Sequence, residues 1–365
     1  MARTTTTALV VGAVVLLVAR LRLQVGKLLH YARFPVDYDA VRREGVLAVA
    51  RRRPLVPYGF DRPSRWTGDA PRCPYAKTDA MPVDVIELLT RHDPITGVRL
   101  GTSVFIEGGE AETRSVRKNM YRRGVDDAAV EEYRSTVARL GPLDVSCHDA
   151  ALRHAASITW RIHFGRAPRA EELRDTVEMC HAITRALNGD VFASVEGAKA
   201  RVHAAVVGAR EGMLGRWRKA GLSTEDRYVE LAHNLFGMTI QWCFLLVRMA
   251  RTGTAGFATL ESAAAFVLDD PPAKVAASRV DGALVLHDLE ARCRRARRPV
   301  VFDPSPPTAE TVGSPDDEHY APFGAGARRC PGEWLTYVFL TAVTVRASAS
   351  SWSFIPPKLL GVAHV

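Results

Sequence analysis

Phe323-Gly-Ala-Gly-Ala-Arg-Arg-Cys-Pro-Gly-Glu333 stands near the C-terminal end of the chain, directly ahead of a helical pattern. Leu335, Val338, Phe339 and Ala342 recur at i, i+3, i+4 and i+7, so the following helix has one apolar face. Pro331 is tolerated where a helix begins, because its missing N–H would have had no intrahelical partner. Gly326 and Gly332 carry no Cβ, so the backbone there can turn sharply and approach a flat group closely. The one cysteine of the stretch, Cys330, lies at the positive end of the coming helix, which favours its thiolate. A bare thiolate is costly to bury and needs such donors. Arg328 adds a planar fork of N–H donors that matches a carboxylate.

Phe323-x-x-Gly326-x-Arg328-x-Cys330-x-Gly332 resembles the haem-binding signature of the cytochrome P-450 family, the haem-thiolate monooxygenases. The resemblance implies a mainly α fold with a small β part and a haem held between two long helices. It implies Cys330 as the axial iron ligand, whose sulfur pushes electron density that favours O–O cleavage. Arg328 would meet a haem propionate, with Phe323, Gly326 and Gly332 around the cofactor. Thr113-x-x-x-Arg117 resembles the family's Trp-x-x-x-Arg, which makes Arg117 a second propionate partner although the tryptophan is absent. Ile158 to Gly165 resembles the helix that ends in Phe-Gly, and Phe302-Asp-Pro304 the meander before the haem loop.

The chain has 365 residues, 47% of them hydrophobic, enough for one large core or two ordinary domains. Its net charge of +9 comes largely from scattered arginines. No stripe of aromatics is interleaved with them, which argues against nucleic acid as a partner. A basic surface facing anionic lipid or an acidic redox protein fits better. Six cysteines with no CxxC spacing form no disulfide framework, so a reducing compartment is expected. Cys147-His148 and Cys180-His181 read as unrelated neighbours rather than metal pairs, since adjacent side chains diverge.

Ala8 to Ala19 is free of charge and is followed by Arg20, Arg22 and Lys27. As a helix it covers about 18 Å, short of a hydrocarbon core of about 30 Å unless Thr4 to Thr7 join it. No small-x-small cleavage site follows. The expectation is an N-terminal membrane anchor with the catalytic domain on the cytoplasmic side; a soluble cytoplasmic protein is the alternative. Residues 1–28 would then be the anchor, 29–94 a basic, proline-bearing linker with short helices, and 95–365 the haem-thiolate domain.

Gly97 to Ile106 has β character. Helical runs are expected over Glu131 to Leu140, Ala150 to Phe164, Ala170 to Leu187, Val195 to Ala220 and Thr224 to Ala250, the last capped by Ser223 or Thr224. The stretch between 251 and 323 is shorter than the family's, so the fold is expected to be incomplete there.

Two departures from the family bear on activity. Oxygen-activating members carry (Ala/Gly)-Gly-x-(Asp/Glu)-Thr in the long helix, where the acid and hydroxyl relay protons. Here Phe236-Gly-Met-Thr-Ile-Gln241 keeps Gly237, puts Thr239 at the acid position, and puts Ile240, which can neither donate nor accept, at the threonine position. The family's Glu-x-x-Arg pair is also absent between Arg251 and Cys330. The resemblance implies a monooxygenase acting on an apolar small molecule, served by a separate redox partner, with incorporation of oxygen from paired donors and with Gly237 and Thr239 facing the oxygen. Two alternatives stand beside it. One is a peroxygenase, isomerase or dehydratase of the same fold that uses an already oxidised substrate. The other is a non-catalytic or truncated haem-binding protein.

Overall fold

The structure, a computed structural model, describes residues 126–187, 196–272, 275–280, 283–288 and 332–347, together with Arg62–Thr67, residues 28–35 and isolated positions such as Cys293 and Phe323. Strand β1 spans Arg62–Thr67. Helix α1 (Asp127–Ala138) and strand β2 (Pro142–Val145) follow. Five helices come next: α2 (His148–Phe164), α3 (Ala170–Leu187), α4 (Glu196–Gly208), α5 (Gly212–Lys219) and α6 (Thr224–Thr252). Then come α7 (Leu260–Asp269), the hairpin β3 (Val275–Val280) and β4 (Ala283–Asp288), α8 (Glu333–Ala342) and β5 (Thr344–Ala347).

Local chemistry explains the helix ends. Asp126 accepts from Ala129 N at 2.7 Å to open α1. Ser223 accepts from Asp226 N at 3.0 Å to open α6, so Ser223 rather than Thr224 is the cap. Gly165 and Gly253, at φ 69° and 70°, close α2 and α6 in the left-handed conformation that a Cβ disfavours.

The run expected from Val195 to Ala220 is two helices. The chain breaks over 209–211, and Gly212 sits at φ 58°. The turn is tight because Gly165 and Gly212 meet backbone to backbone. A Cβ on Gly212 would lie 2.5 Å from Gly165 N, and one on Gly165 2.7 Å from Glu211 Cβ. The apolar periodicity continues across the break and hid it.

Helix α6 is about 43 Å long at 1.5 Å per residue and packs chiefly on α2. One face of it is fully buried, with Leu231, Leu235, Trp242, Leu245, Leu246 and Met249 at 0% exposure. Every residue of α8 from Glu333 to Leu340 is buried, which makes it an internal helix packed on α1 and α7.

Two small sheets complete the fold. In one, β1 pairs in parallel with β4, and β4 pairs antiparallel with β3. In the other, β2 pairs in parallel with β5 in the register Pro142 with Thr344 through Val145 with Ala347. The segment from 29 to 94, read as a linker, thus contributes a strand to the sheet. The region from 251 to 323, expected to be an incomplete part of the fold, contributes α7 and the β3–β4 hairpin among its described residues.

Among the described residues no helix is long and apolar enough to cross a membrane. Of the Ala8 to Ala19 run only Val18 is described, so the expected anchor lies outside the described residues. The β character of Gly97 to Ile106 lies outside the described residues.

Candidate functional site at the junction of the long helix and the cysteine-loop helix

The two helices that the cysteine loop and the Gly237 stretch call for do meet. Trp242 Nε1 on α6 donates to Thr336 Oγ1 on α8 at 3.2 Å. The Trp242 indole also stacks on Phe339, with centroids 4.3 Å apart and planes 3° from parallel. Thr336 Oγ1 in turn donates to Gly332 O at 3.0 Å. One hydroxyl therefore joins α6 to the residue at which α8 begins.

Gly332 is the N-cap of α8 and supplies no side chain to the first-turn N–H groups. Cys330 stands two residues ahead of that cap in the sequence. Phe323, at the other end of the motif, is partly buried and meets the Tyr337 ring edge-on at 5.7 Å and 86°. Tyr337 donates from its hydroxyl to Glu333 Oε1 at 3.1 Å. Both ends of the motif thus rest on α8. Cys330, Gly326, Arg328 and Arg117 lie outside the described residues.

Gly237 is partly buried on α6, one turn before Gln241. Thr239 is fully buried, and its Oγ1 has no hydrogen-bond partner. That is unusual, because a helical threonine can satisfy itself on the carbonyl one turn back. Thr239 lies three residues ahead of Trp242, so both belong to one face of α6. Ile240 is partly buried and packs against the core. Trp334 Nε1, in the first turn of α8, is a second buried polar atom without a partner. Natively orphaned polar atoms call for an explanation, and a bound group is one.

One turn before Gly237, Asn234 Nδ2 donates to His163 Nε2 of α2 at 3.1 Å, and His163 Nδ1 donates to Thr159 O at 2.7 Å. Burial pulls the His163 pKa down to about 4, so the imidazole is neutral, with its proton on Nδ1. The pair fixes the rotation of α6 against α2 where Gly237 and Thr239 sit. Sequence reading missed Trp242, Thr336, His163 and Asn234. Nothing in spacing links positions 71 or 94 residues apart.

The cysteine–histidine neighbours come to lie together differently from their order in the chain. Cys243 Sγ is 3.6 Å from His148 Nε2, and His181 Nε2 is 3.7 Å from Asp149 Oδ1. Burial pushes the Cys180 thiol up to about 12 and raises the Cys243 thiol as well, so both stay protonated. Among the described residues no group of three or more His, Cys, Asp or Glu side chains could hold a metal.

No protein-family model and no curated protein matches the chain. Solved structures do. A variant of cytochrome P450 OleT in complex with arachidonic acid is 14% identical, with a TM-score of 0.54, and the match covers 84% of this chain and 87% of that one. Retinoic acid-bound cyanobacterial CYP120A1 is 12% identical, with a TM-score of 0.53 and coverage of 82% and 86%. That partial coverage accords with a shortened fold. Helices α6 and α8, joined at Trp242 and Thr336 within this mainly α architecture, belong to a chain with the cytochrome P450 fold.

Proposed function

We propose that the protein is a haem-thiolate oxidoreductase, a monooxygenase that inserts oxygen into an apolar small molecule, with Cys330 as the iron ligand. The observation that carries the reading is the junction itself. The helix that begins just after Cys330 is tied through Thr336 to α6, which carries a buried hydroxyl without a partner at Thr239. The residues fit a haem. A lone cysteine just ahead of an internal helix suits thiolate ligation, and Thr239 on α6 and Trp334 on α8 each keep a buried polar atom without a partner. Phe323 and Gly332 would border the cofactor, and Arg328 and Arg117 would take its propionates.

When bound, the haem supplies the oxygen-transfer chemistry. The chain's own residues do the rest. The α8 dipole holds the Cys330 thiolate in its charged form. Thr239 Oγ can accept and pass a proton, a task closed to Ile240. The Asn234–His163 hydrogen bond holds the rotation of α6 that decides where the hydroxyl points. Two structures of this fold hold arachidonic acid and retinoic acid, which supports an apolar substrate here. A separate redox protein would deliver electrons to the basic surface.

A second reading is favoured by the neighbours of Thr239. Met238 and Ile240 flank it, so no carboxylate adjoins the hydroxyl in sequence. A peroxygenase, isomerase or dehydratase uses an already oxidised substrate and needs no such relay. A shortened, non-catalytic haem protein is the third reading.

The reduced, carbon monoxide-treated protein tests all three. A red-shifted Soret band that Cys330→Ser abolishes is expected. A normal-position band in the unmodified chain refutes thiolate ligation. Turnover with a reductase, with peroxide, or with neither then separates the readings.

A further inference from the structure

The first turn of α6 carries an electrostatic arrangement that the haem reading leaves unused. Arg227 is 4% exposed, buried at the end of the helix where the dipole is positive. Its guanidinium folds back over that end. Nη2 donates to Thr224 Oγ1 at 3.1 Å and Nε to Ser223 O at 3.4 Å. Nη1 is buried and has no hydrogen-bond partner. Among the described residues no carboxylate forms a salt bridge with it.

Among the described residues no nearby charge relieves it; the side chain of Glu225, in the same turn, lies outside them. Arg210, in the connection between α4 and α5, repels the Arg227 charge and, after burial, is the second cause that lowers its pKa. The path of that connection is fixed: a Cβ on Gly215 would lie 2.1 Å from Arg210 O. Asp226 is exposed and engaged with Ser223 Oγ at 2.6 Å. Glu211 is the N-cap residue of α5, and Glu230 lies one turn along α6; neither is ion-paired to Arg227 among the described residues. A buried cation at the positive end of a helix, beside a second cation, is unfavourable unless an anion joins them.

We propose that the N-terminus of α6, with Arg227 and Arg210, is a binding site for a phosphate-type oxyanion. Arg227 Nη1 is the buried donor aimed at the ligand, Arg210 is the exposed second cation, and the dipole of a 29-residue helix adds to both. Two cations and a helix terminus favour a dianion over a monocarboxylate. The site is about 12 residues from Thr239 along α6, about 18 Å at 1.5 Å per residue. It stands apart from the haem site and does not depend on it.

Thermal unfolding of the full chain in inorganic phosphate, against sodium chloride of equal ionic strength and against acetate, tests this. Phosphate should raise the midpoint in proportion to the logarithm of its concentration, beyond the chloride control and more than acetate does. Arg227→Gln should abolish the increment. Arg210→Ala, at an exposed position, should weaken it several-fold in half-saturating concentration and keeps the test open if the buried variant fails to fold. A phosphate response equal to that of chloride overturns the proposal, and so does an increment that survives unchanged in Arg210→Ala.

Discussion

Trp242 and Thr336 lie 94 residues apart and share a buried hydrogen bond of 3.2 Å between the long helix and the cysteine-loop helix. The hydroxyl that accepts from the indole also donates to Gly332 O, so the start of α8 is held by α6 rather than by its own cap. Removing the indole N–H while keeping a ring should cost about 1 kcal/mol. Trp242→Phe removes that N–H together with part of the buried ring, so a cavity cost adds to it. Trp242→Ala, which also loses the stack on Phe339, should cost about 3–5 kcal/mol. Urea denaturation of both variants, with Thr336→Val to close a double-mutant cycle, measures the coupling. Additive effects of Trp242→Phe and Thr336→Val would show that the bond contributes nothing.

Thr239→Val keeps the shape of the side chain and removes a buried hydroxyl that has no partner. Stability should therefore hold or rise, since an unsatisfied polar group costs about 1–3 kcal/mol. Under the monooxygenase reading, reductase-driven turnover should fall at least tenfold while peroxide-driven turnover is spared. Equal loss in both assays would remove Thr239 from proton delivery.

The buried His163 makes stability depend on pH. Its pKa is about 4 in the folded chain, against 6.5 for the unperturbed group. Between those values the unfolded state binds more protons than the folded one, so stability rises with pH across the window and is lost as pH falls from 6.5 toward 4. The full effect is about 3 kcal/mol. His163→Gln should flatten that part of the profile. The Arg166 and Arg169 guanidiniums hold Glu172 at about 2, against 4.5, so its contribution is lost only at lower pH, between 4.5 and 2. A slope between pH 6.5 and about 5 that persists in His163→Gln would assign it elsewhere.

The Gly165–Gly212 contact makes two substitutions costly. Either alanine would need a left-handed backbone, worth about 1–3 kcal/mol of strain, and would place its Cβ within 2.7 Å of a neighbouring atom. Gly212→Ala should lower the denaturation midpoint more than Gly141→Ala, where φ is also positive but nothing lies within 4 Å. Equal effects would mean that the close approach is not a constraint.

What the sequence determined by itself is local. The stretch from Phe323 to Glu333 announced a helix beginning after the cysteine loop, and Ser223 and Gly165 announced helix ends; the structure has all three. Periodicity found α2, α3 and α6 because a helix repeats within four residues, and caps act within the same range. Tertiary structure decided the rest. Gly212 broke an apparently continuous helix because the α2 terminus stands against it. Arg62–Thr67 became a sheet strand because β4, far along the chain, offered it a parallel edge. Trp242 found Thr336, and Asn234 found His163, through the angles at which helices pack. Those angles depend on which faces meet across the whole core, and that is information no single stretch of chain contains.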